Sequence, residues 1–454
     1  SVNIPSSVTS IGDSAFASCA KLSSVTIPSS VQSIGNGAFA DCIGLTSATI
    51  QNGVEYIGNG AFADCIGLTS VNIPSSVQSI GEGAFAGCKL SNITVDNANT
   101  TYTTANSGNG YIFVTEIEQS HTAYTSGWIV GCLACGNLNI PSSVTSIGDG
   151  AFKRCAGITS ITIPSSVQSI GDSAFEECTN LTSVTISNGT GEKGMEIKKN
   201  VFHGCTNLIS ATISDYVTSI GEGAFWGCTN LSSVTISNSI IAISKDTFND
   251  CKSLKSITIP SSVQSIGEGA FYGCSSLKTM ITFDSVLTVG SAAFYGCSSL
   301  TSIDNISNFA SSIGNNAFAG CSSLTSVTIP TWMTVINESL FSNCTNLTSV
   351  IIPSSVKTID DSAFKDCTSL TSVIIPSSVK TIGSDVFSGC NNLSNVTFKG
   401  NPINIINALK LPKSNGKFII DYQFNASSDQ EAVEKALKKE FPNWIIIFLY
   451  KPKI

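Results

Sequence analysis

Residues 68–90 read LTSVNIPSSVQSIGEGAFAGCKL, and nearly the same string recurs along most of the chain. Leu68-Thr-Ser-Val71-Asn-Ile73 alternates apolar and polar positions, the period-two pattern of a strand with one face turned to a core. Pro74 ends that strand, because proline has no N–H for a further ladder bond. Val77 and Ile80 return to the core, and Gly81 is expected to permit a sharp bend. Ala84-Phe85-x-x-Cys88 is expected to bring the chain back through a tight helical or 3₁₀ turn.

The cysteines measure the repeat. Cys19, Cys42, Cys65 and Cys88 stand 23 residues apart, as do Cys155 and Cys178, Cys205 through Cys297, and Cys321 through Cys390. Two steps in the later blocks deviate: Cys178 to Cys205 is 27 residues and Cys297 to Cys321 is 24. A phenylalanine lies three residues before each of these fifteen cysteines, from Phe16 to Phe387. Cys132 keeps the phase, 23 residues before Cys155, with Ile129 in the phenylalanine slot and Cys135 in the leucine slot. Residues 89–138 therefore read as a degenerate coil with an inserted hairpin or loop. The count is about 17 coils between residue 1 and residue 400.

One such coil cannot bury its own apolar face, whereas stacked coils share a continuous core. The expected fold is a mainly β repeat solenoid, roughly 80 Å long at strand spacing. Phenylalanines in register would form its spine. The cysteine column admits metal or redox chemistry, or a row of buried small hydrophobes whose S–H groups donate to nearby loop carbonyls. In-register Cβ vectors run parallel, which is wrong for disulfides, so free and buried is the expectation. Cys132 and Cys135 make a lone CxxC that no second pair or nearby histidine completes.

Composition excludes several function classes. Lys plus Arg is 23 and Asp plus Glu is 31, a net charge of −8, and Arg154 is the only arginine. That balance is a poor match for a nucleic-acid backbone, so no nucleic acid is expected as a partner. No run of 18 apolar residues is present to span a membrane. His121 and His203 are the two histidines, far apart in sequence, and support neither a histidine-centred active site nor a multi-histidine metal site. An enzyme is therefore not expected, and no cofactor or metal is implied.

The string Leu-Thr-Ser-Val-x-Ile-Pro-Ser-Ser-Val-x-Ser-Ile-Gly-x-x-Ala-Phe-x-x-Cys resembles the BspA-like, or treponemal-type, leucine-rich repeat, over residues 1 to about 400. The segment from Ile93 to Ile140 resembles the family's long insert, which often opens on a Val-Asp pair (here Val95 and Asp96) and returns through Gly-Cys. The resemblance implies a right-handed, curved solenoid on a secreted or surface protein of host-associated bacteria or some protists. It implies adhesion to a host or microbial surface protein, matrix protein or glycan, and it supplies no catalytic residue. A passive structural spacer is the competing expectation.

The two ends depart from the repeat. Ile4-Pro5 is already a strand exit, so residue 1 falls inside a unit and the sequence reads as a fragment. Residues 401–454 read as a β-α-β cap. Phe418–Phe424 is its first strand, a Ser428/Glu431 capping box opens a helix to about Glu440, and Trp444–Tyr450 is its second strand. Its expected role is to cover the raw end of the core.

Departures from the repeat are where function is sought. The slot after the spine phenylalanine is mostly small or polar, yet five successive coils place His203, Trp226, Asn249, Tyr272 and Tyr295 there. An exposed row of these would suit sugar rings or a peptide strand, or would merely stabilise the surface by stacking. The insert, with Tyr102, Tyr111, His121, Tyr124 and Trp128, is the second candidate, of which Tyr111 and Trp128 are singled out. Three residues before the phenylalanine an acidic row recurs, including Asp13, Glu82, Asp149, Asp172, Glu222, Glu268, Glu338 and Asp361. It reads as a solvated edge rather than a Ca²⁺ site, with Lys199 and Lys245 placed to pair with Glu222. The Ser/Thr rows on the strands are expected to bond one another, with a partner as the alternative.

Overall fold

The structure is a computed structural model that describes residues 1–81, 84–85, 87–88, 90, 92–96, 102–106, 111–116, 130–132, 136–140, 144, 146–155, 157–188, 194–281, 286–303, 311–406, 409, 411 and 415–451. It divides into two compact units, Ser1–Ile240 and Ile241–Ile454. Both are β-solenoid, and fifteen coils of the chain carry the phenylalanine and the cysteine.

In the first unit each coil contributes two short strands. Ser24–Ile27 pairs in parallel with Ser47–Ile50, in the register Ser24↔Ser47, Val25↔Ala48, Thr26↔Thr49 and Ile27↔Ile50. The shorter strands of the Val-x-x-Ile segment form a second parallel ladder, Ile11↔Ile34↔Ile57↔Ile80. Register follows from period two: a slip of one residue would turn Val25 and Ile27, 3% and 0% exposed, to solvent.

The Ala-Phe-x-x-Cys side is not the helical turn expected from sequence. Alternate N–H groups leave the coil altogether. Those of Gly37, Phe39 and Asp41 donate to Asn59, Ala61 and Ala63 of the next coil at 2.7–2.8 Å. The N–H groups between them, on Ala38, Ala40 and Cys42, close local turns to Gly35, Gly37 and Phe39 at 3.0–3.3 Å. A 3₁₀ helix would use every N–H locally and leave neighbouring coils untied. The alternation needs two left-handed residues per coil, here Gly37 at φ 59° and Asp41 at φ 57°.

The glycine after Val-x-x-Ile does a different job from the one expected. Gly35 and Gly58 have no left-handed φ. A Cβ on Gly58 would lie 2.7 Å from the backbone of Gly35 and Asn36, so glycine is required by the close approach of the preceding coil rather than by a bend.

The core column is as the sequence predicts. Phe16, Phe39, Phe62 and Phe85 stack with centroids 5.0–5.1 Å apart and planes within 7°. The same column runs through Phe152, Phe175, Phe202 and Phe225 at 4.9–5.4 Å. Within the insert, Tyr102–Asn106, Tyr111–Glu116 and Val130–Cys132 make a three-stranded antiparallel sheet, so a third strand joins the expected hairpin.

The second unit repeats the plan. Its spine runs from Phe248 to Phe387 at 5.2–5.8 Å. At its C-terminal end Ser372–Ile375, Asn395–Phe398, Lys417–Ile420 and Ile445–Phe448 form one parallel sheet in that order. The helix Ser427–Glu440 buries Val433 and Leu437. Its N-cap is Ala426, with no side-chain cap bond, so the expected Ser428/Glu431 capping box does not form. The β-α-β piece adds two strands to the sheet, and among the described residues nothing pairs with the outer edge of its last strand.

Candidate functional site

The slot after the spine phenylalanine recurs one strand spacing along in successive coils, exposed at Trp226 and Tyr272 but buried at Asn249, Ala319 and Ser342. In the first unit this row begins earlier than the aromatic residues. Lys153 Nζ stands 3.2 Å from Glu176 Oε2, and Glu176 Oε1 stands 3.4 Å from His203 Nδ1. The His203 and Trp226 rings follow with centroids 5.3 Å apart, tilted by 57°. Trp226 is 40% exposed. The His203 hydrogen bond, with help from Ser173 and Lys153, holds the Glu176 carboxyl down at about 2, well below its ordinary value. Lys153 and Glu176 were legible as members of this row, since they occupy the same slot, but only their contacts mark them.

In the second unit the row holds Asn249, Tyr272 and Tyr295. Asn249 is 9% exposed, and its amide donates to Asp246 Oδ1 at 2.9 Å, so it does not join an exposed row. Tyr272 does, at 38% exposed, and the half-buried Tyr295 stacks on it at 4.8 Å with planes within 4°. Such stacking turns one face of each ring toward the other.

Tyr111 opens the strand Tyr111–Glu116 and pairs along the main chain with Cys132. Trp128, His121, Tyr124 and Cys135 lie outside the described residues.

The acidic row lies at an exposed edge, with Asp13, Asp172, Glu268 and Asp361 all exposed, and its aspartates have a second role. Asp13 Oδ1 accepts the Asn36 N–H at 2.7 Å, and Asp149 and Asp172 accept the N–H groups of Asp172 and Lys199 at 2.6 and 2.9 Å. Asp361 does the same for Ser384 at 2.6 Å in the second unit. These carboxylates tie one coil to the next, a role the sequence hid because their partners are main-chain groups 23 or 27 residues on. Lys199 pairs with Glu222 at 3.4 Å, but Lys245 pairs with Glu268 at 3.0 Å, the acid of the following coil. In the Ser/Thr rows, Thr46 Oγ1 and Thr182 Oγ1 donate to the Ser23 and Thr159 carbonyls at 3.0 and 2.8 Å, while Ser160 Oγ donates to Asn137 Oδ1 at 3.1 Å.

The cysteines behave as buried donors. Cys65 Sγ donates to the Phe39 carbonyl at 3.2 Å and Cys274 Sγ to that of Phe248 at 3.1 Å. Burial pushes the Cys42 thiol up to about 11 and that of Cys344 to about 12, which keeps them protonated and unreactive. Cys19 is exposed. Among the described residues no group of three or more His, Cys, Asp or Glu side chains could hold a metal ion.

Arg154, the only arginine, has partners that its place in the sequence does not reveal. Its Nη1 and Nε reach Asp64 Oδ1 and Glu177 Oε2, both at 2.6 Å, joining coils on either side of the insert. In the second unit a cleft of about 200 Å³ is lined by Ser312, Ile313, Trp332, Met333, Thr334 and Asn337, among others. Trp332 stands where the repeat has serine, a visible departure in the string Pro330-Thr-Trp-Met.

The sequence profile of the BspA type leucine rich repeat region, in six copies, matches residues 1–109, 128–194, 195–311 and 311–419. The chain belongs to the BspA-type leucine-rich repeat family. Among solved structures, this BspA-type chain is similar to a leucine-rich repeat protein of Bacteroides ovatus, at 28% identity over 86% of this chain and 82% of that one, TM-score 0.50. It is also similar to a leucine rich cell surface protein of Faecalibacterium prausnitzii, at 26% identity over 67% of this chain and 97% of that one, TM-score 0.39. A third is the Treponema pallidum leucine rich repeat protein, at 24% identity over 46% of this chain and 77% of that one, TM-score 0.29. No curated protein matches this BspA-type chain. Among its described residues no helix is long and apolar enough to cross a membrane.

Proposed function

We propose that this chain is a non-enzymatic binding module, secreted or displayed at a cell surface, that holds a host or microbial macromolecule through fixed rows of outward side chains. The partly exposed Tyr272–Tyr295 stack carries this reading, with the Trp226–His203 pair beside charged neighbours as the matching feature of the first unit. A backbone bonded coil to coil pre-organises these rows, so little side-chain freedom is lost on binding. Rigid aromatic side chains are the residues that most often anchor protein interfaces. The secreted or surface location follows what membership of the family implies.

A protein surface is favoured over a glycan. A sugar ring needs a broad free aromatic face, and the stack at 4.8 Å takes up one face of each tyrosine, leaving at most one face per ring. Ring edges and phenol O–H groups suit the carbonyls of a protein partner. The double variant Trp226→Ala, Tyr272→Ala, screened beside the parent on matrix-protein and glycan arrays, tests this. The parent binds a protein target and the variant loses it. Unchanged binding removes the aromatic rows from the site, and a parent that binds nothing favours a passive spacer.

A further inference from the structure

We propose that the open edge of the strand Ile445–Phe448 is a self-association site, where it pairs antiparallel with the same strand of a second copy of this chain. This strand is the last of its four-stranded sheet, bonded on one side to Lys417–Ile420. The Ile445 N–H donates to Gly416 at 2.8 Å and the Leu449 N–H to Ile420 at 3.1 Å. Main-chain groups alternate sides along a strand, so those of Ile446 and Phe448 face the open edge.

The side chains there are unlike those of any inner rung of the sheet. Ile445, Ile447, Leu449 and Tyr450 are 57%, 37%, 54% and 50% exposed. Ile446 and Phe448 face the core yet are only half-buried. Their register partners Phe418 and Ile420 are fully buried. Edge strands are ordinarily blunted by a charge or a proline, and Ile-Ile-Ile-Phe-Leu-Tyr over 445–450 has neither.

The occupant must be a strand apolar on both faces, and this strand is one. A second copy also brings its own half-covered Ile446 and Phe448, so two open core ends cover each other. With a two-fold axis at Ile447, Ile446 exchanges two main-chain bonds with Phe448 of the second copy and Phe448 exchanges two with its Ile446. The contact is isologous and closes at two copies. The exposed apolar side chains offer on the order of 400 Å² per copy, about half of what a standard stable interface buries per partner, so the dimer is weak and concentration-dependent.

Sedimentation of the whole chain from low to high micromolar concentration tests this, and a reversible monomer–dimer equilibrium is expected. Ile447→Lys sets like charges opposite each other across the axis on an exposed position, and is expected to weaken the dimer about tenfold or more. Circular dichroism and thermal unfolding check that this variant folds. If it does not, the Cys19→Ser, Ile447→Cys variant decides. An axis at Ile447 makes it a non-hydrogen-bonded pair with Cα atoms about 4.5 Å apart, within disulfide reach, so oxidation is expected to give a covalent dimer that Cys19→Ser alone does not. A monomer at every concentration overturns the proposal. So do a dimer indifferent to Ile447→Lys and open-ended oligomers, which signal head-to-tail pairing with the strand Val2–Asn3 at the other end of the chain. A monomer that instead captures foreign extended peptides at this edge also overturns it.

Discussion

Phe271 and Tyr272 are neighbours in the chain and stack on their counterparts one coil on in nearly the same way. The Phe271–Phe294 centroids are 5.2 Å apart with planes within 6°, and those of Tyr272–Tyr295 are 4.8 Å apart with planes within 4°. Their surroundings are opposite: Phe271 is 0% exposed and Tyr272 is 38% exposed. Stacking is therefore a consequence of the repeat, since any side chain placed in one slot of successive coils meets its copy at strand spacing. What separates the inner column from the outer row is burial, and with it the freedom to vary. The inner column must stay phenylalanine. The outer row changes from Lys153 to Glu176, His203 and Trp226 within the first unit without altering the coil.

The inner side of this comparison should give the largest effect. Phe271→Ala removes a ring with neighbours on both sides and is expected to cost about 3–5 kcal/mol, read from denaturant unfolding. Phe16→Ala, at a half-buried position stacked on Phe39, is expected to cost less. Equal losses at the two positions would contradict the idea that each ring is held by its neighbours.

The contact between coils gives the next effect. Gly58→Ala places a Cβ 2.7 Å from the backbone of the preceding coil, which no side-chain rotation relieves. It is expected to cost about 1–3 kcal/mol, the usual range for overpacking. Gly12 holds the same slot but meets nothing within 4 Å, so Gly12→Ala is expected to be neutral or slightly stabilising. Thermal unfolding of the two variants side by side checks this. A bend requirement, as the sequence alone indicated, predicts the same loss at both.

Much of the fold could be read from the string at residues 68–90, because period-two alternation and a fixed 23-residue phase are local facts of sequence. The alternating Val25 and Ile27, the phenylalanine spine and the buried thiols all follow from it. What could not be read depended on which backbone group lies across the gap between coils. The Asp13 carboxylate is exposed, but its tie to the next coil is hidden in the sequence because its partner, the Asn36 N–H, is 23 residues away and has no side-chain signature. Gly58 appeared to serve a bend because the neighbour it makes room for is invisible in the local sequence. The Ser428/Glu431 capping box matched a local pattern, yet the helix starts at Ser427 with Ala426 as its cap. At the candidate site, the slot identified the aromatic row, but it could not separate Asn249, whose amide turns back to Asp246, from the exposed Tyr272.

The outer row should show the smallest effect on stability and the clearest effect on recognition. Tyr272→Ala removes one partly exposed ring from a two-ring stack. Aromatic pairs contribute about 0.5–1.5 kcal/mol beyond area burial, and exposure places this pair at the lower end. Thermal unfolding should therefore barely move, while binding to the protein target of the parent chain should fall. Tyr272→Phe keeps the stack and the ring edge but removes the phenol O–H, so it separates packing from hydrogen bonding. If it binds as the parent does, the edges alone recognise the partner; if it binds as Tyr272→Ala does, the hydroxyl is the contact. A loss of stability at Tyr272 as large as that at Phe271 would erase the distinction between column and row, and would return the tyrosines to the scaffold.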